Sequence, residues 1–215
     1  MSFLNQLKSQ ATALQQAQNA QQHNLTENTA STEAAFQRAW FYLDDLAKQL
    51  NVIAPVGPAL SLDGKTHWPP MRLSGFRVDA RKKMVRNQEV YDYIGLWWRI
   101  LPHSGQGESG EVSVNFPPDL QRVESRLSLG HVKHERKEVR HPEKNSLLAI
   151  RFLYTTESRG TVTLTADHDK GEMACRIANA RGFEVLNTTK RSPAMDTPML
   201  DELAKLILGQ TSRFV

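Results

Sequence analysis

The chain has 215 residues, of which 40% are hydrophobic and 23% are charged, and its formal net charge is +4. This length suits one sizeable domain or two small ones, and the composition is that of an ordinary globular protein. No apolar run approaches the ~20 residues of a membrane span, and the N-terminus lacks the apolar core of a signal peptide. Cys175 is the only cysteine, so an internal disulfide is excluded. We therefore predict a cytoplasmic protein whose mildly basic charge permits phosphate binding without demanding it.

Residues 1–28 differ from the rest of the chain because Gln and Ala dominate and Gly and Pro are absent. Apolar residues recur there at helical spacing: Phe3, Leu7, Ala11 and Leu14. The spacing predicts a helix over roughly 3–22, but its stripe is too thin to stabilise it alone. Such a helix docks on the body, pairs with a copy of itself or frays. We interpret residues 1–28 as a helical extension of a single α+β domain over residues 29–215.

A second helix is predicted from Ser31 or Thr32, either of which can cap it, to about Asn51. Its apolar residues form one broad face: Phe36, Ala39, Trp40, Leu43, Ala47 and Leu50. The run Val52–Pro58, which contains prolines and a glycine, ends it. A helix with this face is suited to covering a β-sheet.

From Met71 to about Asn187 the sequence predicts short strands separated by turn-forming residues. The predicted strands are Met71–Asp79, Glu89–Leu101, Val112–Phe116, Ser146–Thr155, Thr161–Ala166, Glu172–Ala178 and Gly182–Thr188. Asp119–Leu129 fits a helix or a strand, and the surrounding meander favours a strand. A third helix follows Thr197, its predicted cap, and ends at Gly209.

Together these elements predict an α+β fold. Short connections between strands favour antiparallel neighbours, so we expect a meander-like antiparallel sheet of about six to eight strands. Two N-terminal helices and one C-terminal helix are expected to cover it.

The stretch Val90–Leu101 is apolar on both faces of its predicted strand. One face carries Val90, Ile94, Leu96, Trp98 and Ile100, and the other carries Tyr91, Tyr93, Gly95, Trp97 and Arg99. A strand with one exposed face normally shows polar residues there, so the aromatic second face is expected to be covered by a helix, a sheet, a partner or a ligand. The helix of Phe36 is the favoured cover. The aromatic residues Tyr91, Tyr93 and Trp97, with Trp68 from a nearby proline-rich segment, are the candidate binding residues.

The densest basic cluster lies just before this strand. It consists of Arg77, Arg81, Lys82, Lys83 and Arg86. A basic patch beside aromatic residues is typical of single-stranded nucleic-acid binding, with phosphates paired and bases stacked. However, the Gly-flanked aromatic signature of RNA-binding sheets is absent, so the sequence favours a solvated hairpin tip and makes nucleic acid an unlikely partner.

Histidines occur in two clusters that could carry chemistry. Within Gly130–His141, the side chains of His131, His134, Glu135 and Glu138 would share a face on a helix and separate on a strand. We favour a charged, solvated strand over a metal site. In Asp167-His168-Asp169 the residue types favour a tight turn before Gly171 over a cation site or a tuned base.

The remaining motifs argue against common enzyme classes. Cys175 alternates with apolar residues on a predicted strand, where a thiol is usually inert. Neither a nucleophile-elbow serine nor a phosphate-binding or dinucleotide-binding glycine pattern occurs. We predict a non-catalytic binding protein without a cofactor, working through the aromatic sheet face or a cavity, with a protein partner or self-association favoured over a small apolar ligand. The alternative is an enzyme that uses His131, His134 or His168 in a sheet-lined pocket, and the second alternative is nucleic-acid binding through Arg77–Arg86.

Overall fold

A computed structural model describes residues 3–215, which form an α+β fold. The α-helices are α1 (Phe3–Ile53), α2 (Pro117–Leu129) and α3 (Thr197–Ile207), and a short 3-10 helix spans Ser192–Ala194. The strands are β1 (Met71–Val85), β2 (Gln88–Pro102), β3 (Ser109–Val114), β4 (His134–Arg140), β5 (Leu147–Thr155), β6 (Ser158–Asp167), β7 (Glu172–Ala178) and β8 (Val185–Arg191). They form two antiparallel sheets, ordered β1-β2-β6-β7-β8 and β3-β5-β4. The predicted fold class is confirmed, with the strands divided between two sheets.

The N-terminal helix α1 is continuous over 51 residues, whereas the sequence predicted two helices. Ser31 and Thr32 lie in its interior, so their predicted capping role is wrong. No Gly or Pro occurs over residues 3–53, and the helix therefore continues through both predicted segments. The Thr32 hydroxyl instead hydrogen-bonds the buried Ser192 hydroxyl at 2.9 Å. Residues 3–24 are exposed and burial begins at Leu25, close to the predicted boundary between extension and domain.

The main core lies between the five-stranded sheet and the helices α1 and α3. The predicted covering face of α1 is confirmed, since Phe36, Ala39, Leu43, Ala47 and Leu50 are all buried. They pack with apolar side chains of the sheet and of α3, among them Ile94, Leu96, Trp98, Val162, Leu164, Ile177, Leu200, Leu203 and Ile207. We call the side of the sheet that meets α1 its inner face.

Residues 119–129 are helical, so the strand interpretation of this segment is wrong. Pro117 and Pro118 open α2, where a missing backbone N–H costs nothing, and Asp119 lies in the first turn. Val123 and Leu127 bury one side of the helix. Their spacing of four residues fits a helical face, and this packing outweighs the meander pattern of the neighbouring sequence.

The C-terminal helix α3 begins one residue earlier than expected. The carboxylate of Asp196 caps it by accepting a hydrogen bond from the Met199 amide at 3.0 Å, so the prediction that Thr197 is the cap is wrong. The predicted end at Gly209 is confirmed by its positive φ of 68°, a conformation that glycine adopts without strain. No helix within residues 3–215 is long and apolar enough to cross a membrane.

Candidate binding face

The two sides of β2 have different environments. On the inner face, Ile94, Leu96 and Trp98 are fully buried. On the opposite face, Tyr93 and Trp97 are only half-buried. We call this side, with the residues paired to it across β1, β6, β7 and β8, the outer face. The helix of Phe36 packs on the inner face, so the expectation that it would cover the aromatic second face is wrong for Tyr93 and Trp97.

A β-bulge separates Tyr91 from the other two aromatic residues of β2. The pairing of β1 with β2 shifts between Arg81 and Lys82, so that Arg81 pairs with Tyr93 while Lys82 pairs with Tyr91. The extra residue, Asp92, breaks the alternation of side chains. The Tyr91 ring consequently stacks on Phe36 of α1, with the ring centroids 6.0 Å apart. Tyr91 therefore does not share the open side of the sheet with Tyr93 and Trp97, as simple alternation predicted.

The Trp97 ring lies flat against the backbone of its own strand. A Cβ atom added to Gly95 would overlap the outer edge of this ring, which shows that the indole covers the glycine. Only a residue without a side chain leaves room for such close contact. One side of the ring is thus held by the sheet, and the half-buried ring remains part of the open face.

The register places basic residues directly beside these aromatic side chains. Arg77 pairs with Trp97, and Arg81 pairs with Tyr93. Directly opposed residues of an antiparallel pair project from the same face of the sheet. The aromatic and basic clusters, which were separate features of the sequence, therefore meet on the outer face.

The other three members of the basic cluster are engaged elsewhere. Lys82 lies over the Tyr91 ring, 5.2 Å from its centroid, and Lys83 pairs with Asp92 at 2.8 Å. Arg86 forms a 2.6 Å salt bridge with Asp169. Only Arg77 and Arg81 of the cluster have no salt-bridge partner among residues 3–215.

Concavities run along the outer face above β6 and β7. The largest, of about 670 Å³, lies between the β1–β2 hairpin tip and the β6–β7 turn. It shares Thr165 and Ala174 with a second concavity of about 370 Å³. The second shares Arg176 with a third of about 240 Å³, which reaches His131. We call these three neighbouring concavities the trough, which follows the 10 residues of β6 over about 33 Å. Trp97 and Tyr93 lie beside it, on the neighbouring strand β2.

The outer face is polar and predominantly basic. Its arginines without a salt bridge within residues 3–215 include Arg77, Arg81, Arg159, Arg176 and Arg191, of which Arg159 and Arg176 line the trough. Arg99 also belongs to this face but pairs with Glu157 at 2.9 Å. The acidic residues that share the face by register are Asp79, Asp167 and Glu172. The excess of unpaired guanidinium groups gives the face a positive potential.

Sequence reasoning missed the floor of the trough. Thr161, Thr163 and Thr165 alternate along β6 onto the outer face, opposite Ala178, Arg176 and Ala174 of β7. The alternation of threonine with Val162 and Leu164 is visible in the sequence as one polar and one apolar face. What the sequence lacks is the strand order that places these hydroxyls beside β2.

One end of the trough is fixed by a clasp between α1, the hairpin tip and the β6–β7 turn. Arg86 donates hydrogen bonds to Asp169 and to the Thr29 hydroxyl of α1, and the Asn28 amide donates to the Asp169 carbonyl at 2.7 Å. Nε2 of the buried His168 donates to the Tyr91 carbonyl at 2.7 Å. The predicted tight turn at Asp167–Gly171 is confirmed. The clasp holds the rim of the trough in place without a ligand.

The candidate catalytic or metal-binding histidines do not converge. His134 lies on β4, which confirms the strand interpretation of this charged segment, and its Nδ1 is 2.9 Å from the Val132 carbonyl. His131 lies at one end of β6 and His168 at the other, about 30 Å away. Within the described part of the chain, no group of three or more His, Cys, Asp and Glu side chains is placed to hold a metal ion.

Two further candidates are buried away from the outer face. Trp68 stacks on Tyr154, with centroids 5.7 Å apart, and meets Phe183 edge-on at 5.5 Å. It belongs to the core, so the structure does not bring it to Tyr93 and Trp97. Cys175 is buried on the inner face, and burial raises the pKa of its thiol to about 12, although nearby Lys190 acts in the opposite direction. The thiol is therefore protonated and enclosed at neutral pH.

Comparison of the chain with known proteins finds no matching family model, no matching curated protein and no matching solved structure.

Proposed function

We propose that this is a cytoplasmic, non-catalytic binding protein whose working surface is the outer face of the five-stranded sheet. The observation that carries the proposal is the Trp97 ring, which lies flat on Gly95 in an open sheet face beside Arg77. Tryptophan, tyrosine and arginine are the residue types that contribute most binding energy in protein interfaces.

The preformed shape of the face supports the same proposal. The Arg86–Asp169 clasp holds one end of the trough, and the cross-strand hydrogen bonds of β2, β6 and β7 hold its floor. When a ligand binds a surface that is already rigid, no conformational entropy is lost in ordering that surface. The trough is therefore suited to binding without a large conformational change.

Photo-crosslinking in cells tests this proposal for any class of partner. A photoreactive phenylalanine analogue is placed at Tyr93, and in a matched control at Phe41 of α1, whose side chain is 64% exposed. We expect a discrete adduct from position 93 that is lost when Trp97→Ala is added, and no such adduct from position 41. The proposal is overturned if position 93 gives no adduct, or if both positions give the same one.

A further inference from the structure

We infer that the occupant of the outer face is a single-stranded nucleic acid, with bases stacked on Trp97 and Tyr93 and phosphates held by the arginines of the same face. This inference rests on the proposed function, and it assigns the class of partner. Aromatic, cationic and hydroxyl groups lie together on this open face of the sheet and support it.

The aromatic side chains supply the stacking surface. Because the Trp97 ring covers Gly95 on the outer face, a planar base can stack on it from the open side. Tyr93 is four residues away on the same face of β2, a separation of about 13 Å. Every base has a π-face, so such a surface accepts different sequences along one extended strand.

The arginines supply the phosphate contacts. Arg77 is directly opposite Trp97 and Arg81 is directly opposite Tyr93, so each aromatic residue has its own cation. Arg176 lies farther across the sheet, on β7, and continues the basic surface along the trough. None of these three guanidinium groups donates a hydrogen bond or forms a salt bridge within residues 3–215, and so each is free to pair with a phosphate.

The floor of the trough offers groups that can bind base edges and sugars. The hydroxyls of Thr161, Thr163 and Thr165 both donate and accept hydrogen bonds, and they line the face in a row along β6. A trough about 33 Å long accommodates an extended strand within the range of about 4–16 nucleotides bound by single-strand-binding domains.

The arrangement favours a single strand over other anionic partners. In a duplex the base faces are stacked inside the helix, where a ring lying flat on a sheet cannot reach them. An acidic peptide would satisfy the arginines, but it carries a planar group only where an aromatic residue occurs, whereas every nucleotide carries a base with a π-face. Each nucleotide of a single strand carries one base and one phosphate, which matches the two pairs of opposed residues, Trp97 with Arg77 and Tyr93 with Arg81.

Fluorescence anisotropy of a labelled oligonucleotide tests the inference with the full chain. We expect an oligothymidine or oligouridine of about 12 nucleotides to bind, within the range of site sizes for such surfaces. Its log affinity is expected to fall with log salt by about 0.7 for each phosphate contact. Trp97→Ala is expected to weaken binding about tenfold or more, since one stacked base is lost. Arg77→Ala is expected to reduce the salt slope by about 0.7.

Matched variants show whether a loss of oligonucleotide binding comes from the outer face, from misfolding or from a general loss of positive charge. Arg151 is an exposed strand arginine of the other sheet, paired with Glu111, and Arg151→Ala is expected to bind as the wild type does. Gly95→Ala keeps Trp97 but displaces its ring, and it is expected to weaken binding as Trp97→Ala does. Unchanged thermal midpoints of Arg77→Ala and Arg151→Ala show that both proteins are folded.

The outcomes distinguish the inference from the proposed function. Absence of oligonucleotide binding at about 50 mM salt, where phosphate contacts are strong, overturns the inference. Equal binding by the wild type, Trp97→Ala and Arg77→Ala also overturns it, because the outer face is then not used. If the oligonucleotide fails but position 93 still crosslinks to a protein in a Trp97-dependent manner, the proposed function stands and the partner is a protein. If neither binds, both fail.

Discussion

At the residue scale, two glycines of neighbouring strands each lie against a tryptophan, but on opposite faces of the sheet. A Cβ on Gly95 would overlap Trp97 of the outer face, and a Cβ on Gly160 would overlap Trp98, which is 1% exposed in the core. The half-buried Trp97 ring can swing away towards the open side, whereas the Trp98 ring in the core is held by its neighbours. Gly160→Ala is therefore expected to cost about 1–3 kcal/mol of unfolding free energy, and Gly95→Ala less than about 1 kcal/mol. Urea denaturation of both variants measures this, and equal costs would contradict the placement of the two rings.

The loop before β1 contains a carboxylate whose ionisation is coupled to folding. Burial raises the pKa of Asp63, but the backbone amides of Thr66 and Lys65 and the hydroxyls of Ser61 and Thr66 donate hydrogen bonds to it and lower the pKa to about 2. A pKa below the unfolded value means that the ionised group adds stability at neutral pH, and that this stability is lost as the pH falls towards 2.

Asp63→Asn tests this coupling. We expect the variant to lose about 1 kcal/mol of unfolding free energy near neutral pH, after allowance for the partial exposure of the loop. The difference from the wild type is expected to shrink between about pH 4 and pH 2, where the wild-type carboxylate becomes protonated. Denaturant unfolding at several pH values measures it. A difference that stays constant with pH would show that the hydrogen bonds do not depend on the charge.

At the element scale, the sequence correctly predicts helices and strands whose buried side chains recur at a regular spacing. The prediction fails where contacts between residues far apart in the chain determine the local structure. Glu172–Ala178 is predicted with its observed bounds because its alternation is regular. The strand prediction for Asp119–Leu129 fails because the helical face of Val123 and Leu127 is short and its packing partners lie far away in the chain. Simple alternation places Tyr91 beside Tyr93, whereas the bulge at Asp92 separates them. The only mark of this bulge in the sequence is the charged Asp92, which interrupts the otherwise apolar face of Val90, Ile94 and Leu96.

The N-terminal part of α1 provides a second element-scale prediction. Residues 3–24 are exposed, and the first buried contacts of the helix begin at Leu25 and Thr29. Deletion of residues 1–24 is therefore expected to leave the thermal midpoint of the body within about 2 °C of the full chain, because residues 3–24 bury almost no surface. Calorimetry combined with light scattering checks this. A larger drop, or a smaller oligomer after deletion, would show that the segment packs against a second copy.

At the scale of the whole molecule, the components of the candidate site can be predicted but their assembly cannot. The aromatic stretch of β2 and the basic cluster of β1 are both apparent as sequence features. Their meeting depends on the register that pairs Arg77 with Trp97, and the trough depends on β6 and β7 lying next to β2. Neither the register nor the strand order is determined by local periodicity. For the same reason, Trp68 was expected beside Tyr93 and Trp97, although its ring lies in the core and does not reach them.

The most direct test of the outer face as the working surface is an NMR titration that follows the indole N–H signals of the 4 tryptophans. With a single-stranded oligonucleotide added to the full chain, we expect the Trp97 signal to shift strongly. The signals of Trp68 and Trp98 are expected to stay in place, because both rings are buried in the core. Backbone shifts should follow β2, β6 and β7 along the trough. An unchanged Trp97 signal, or shifts confined to α1 or to the β3-β5-β4 sheet, would contradict the assignment of the outer face.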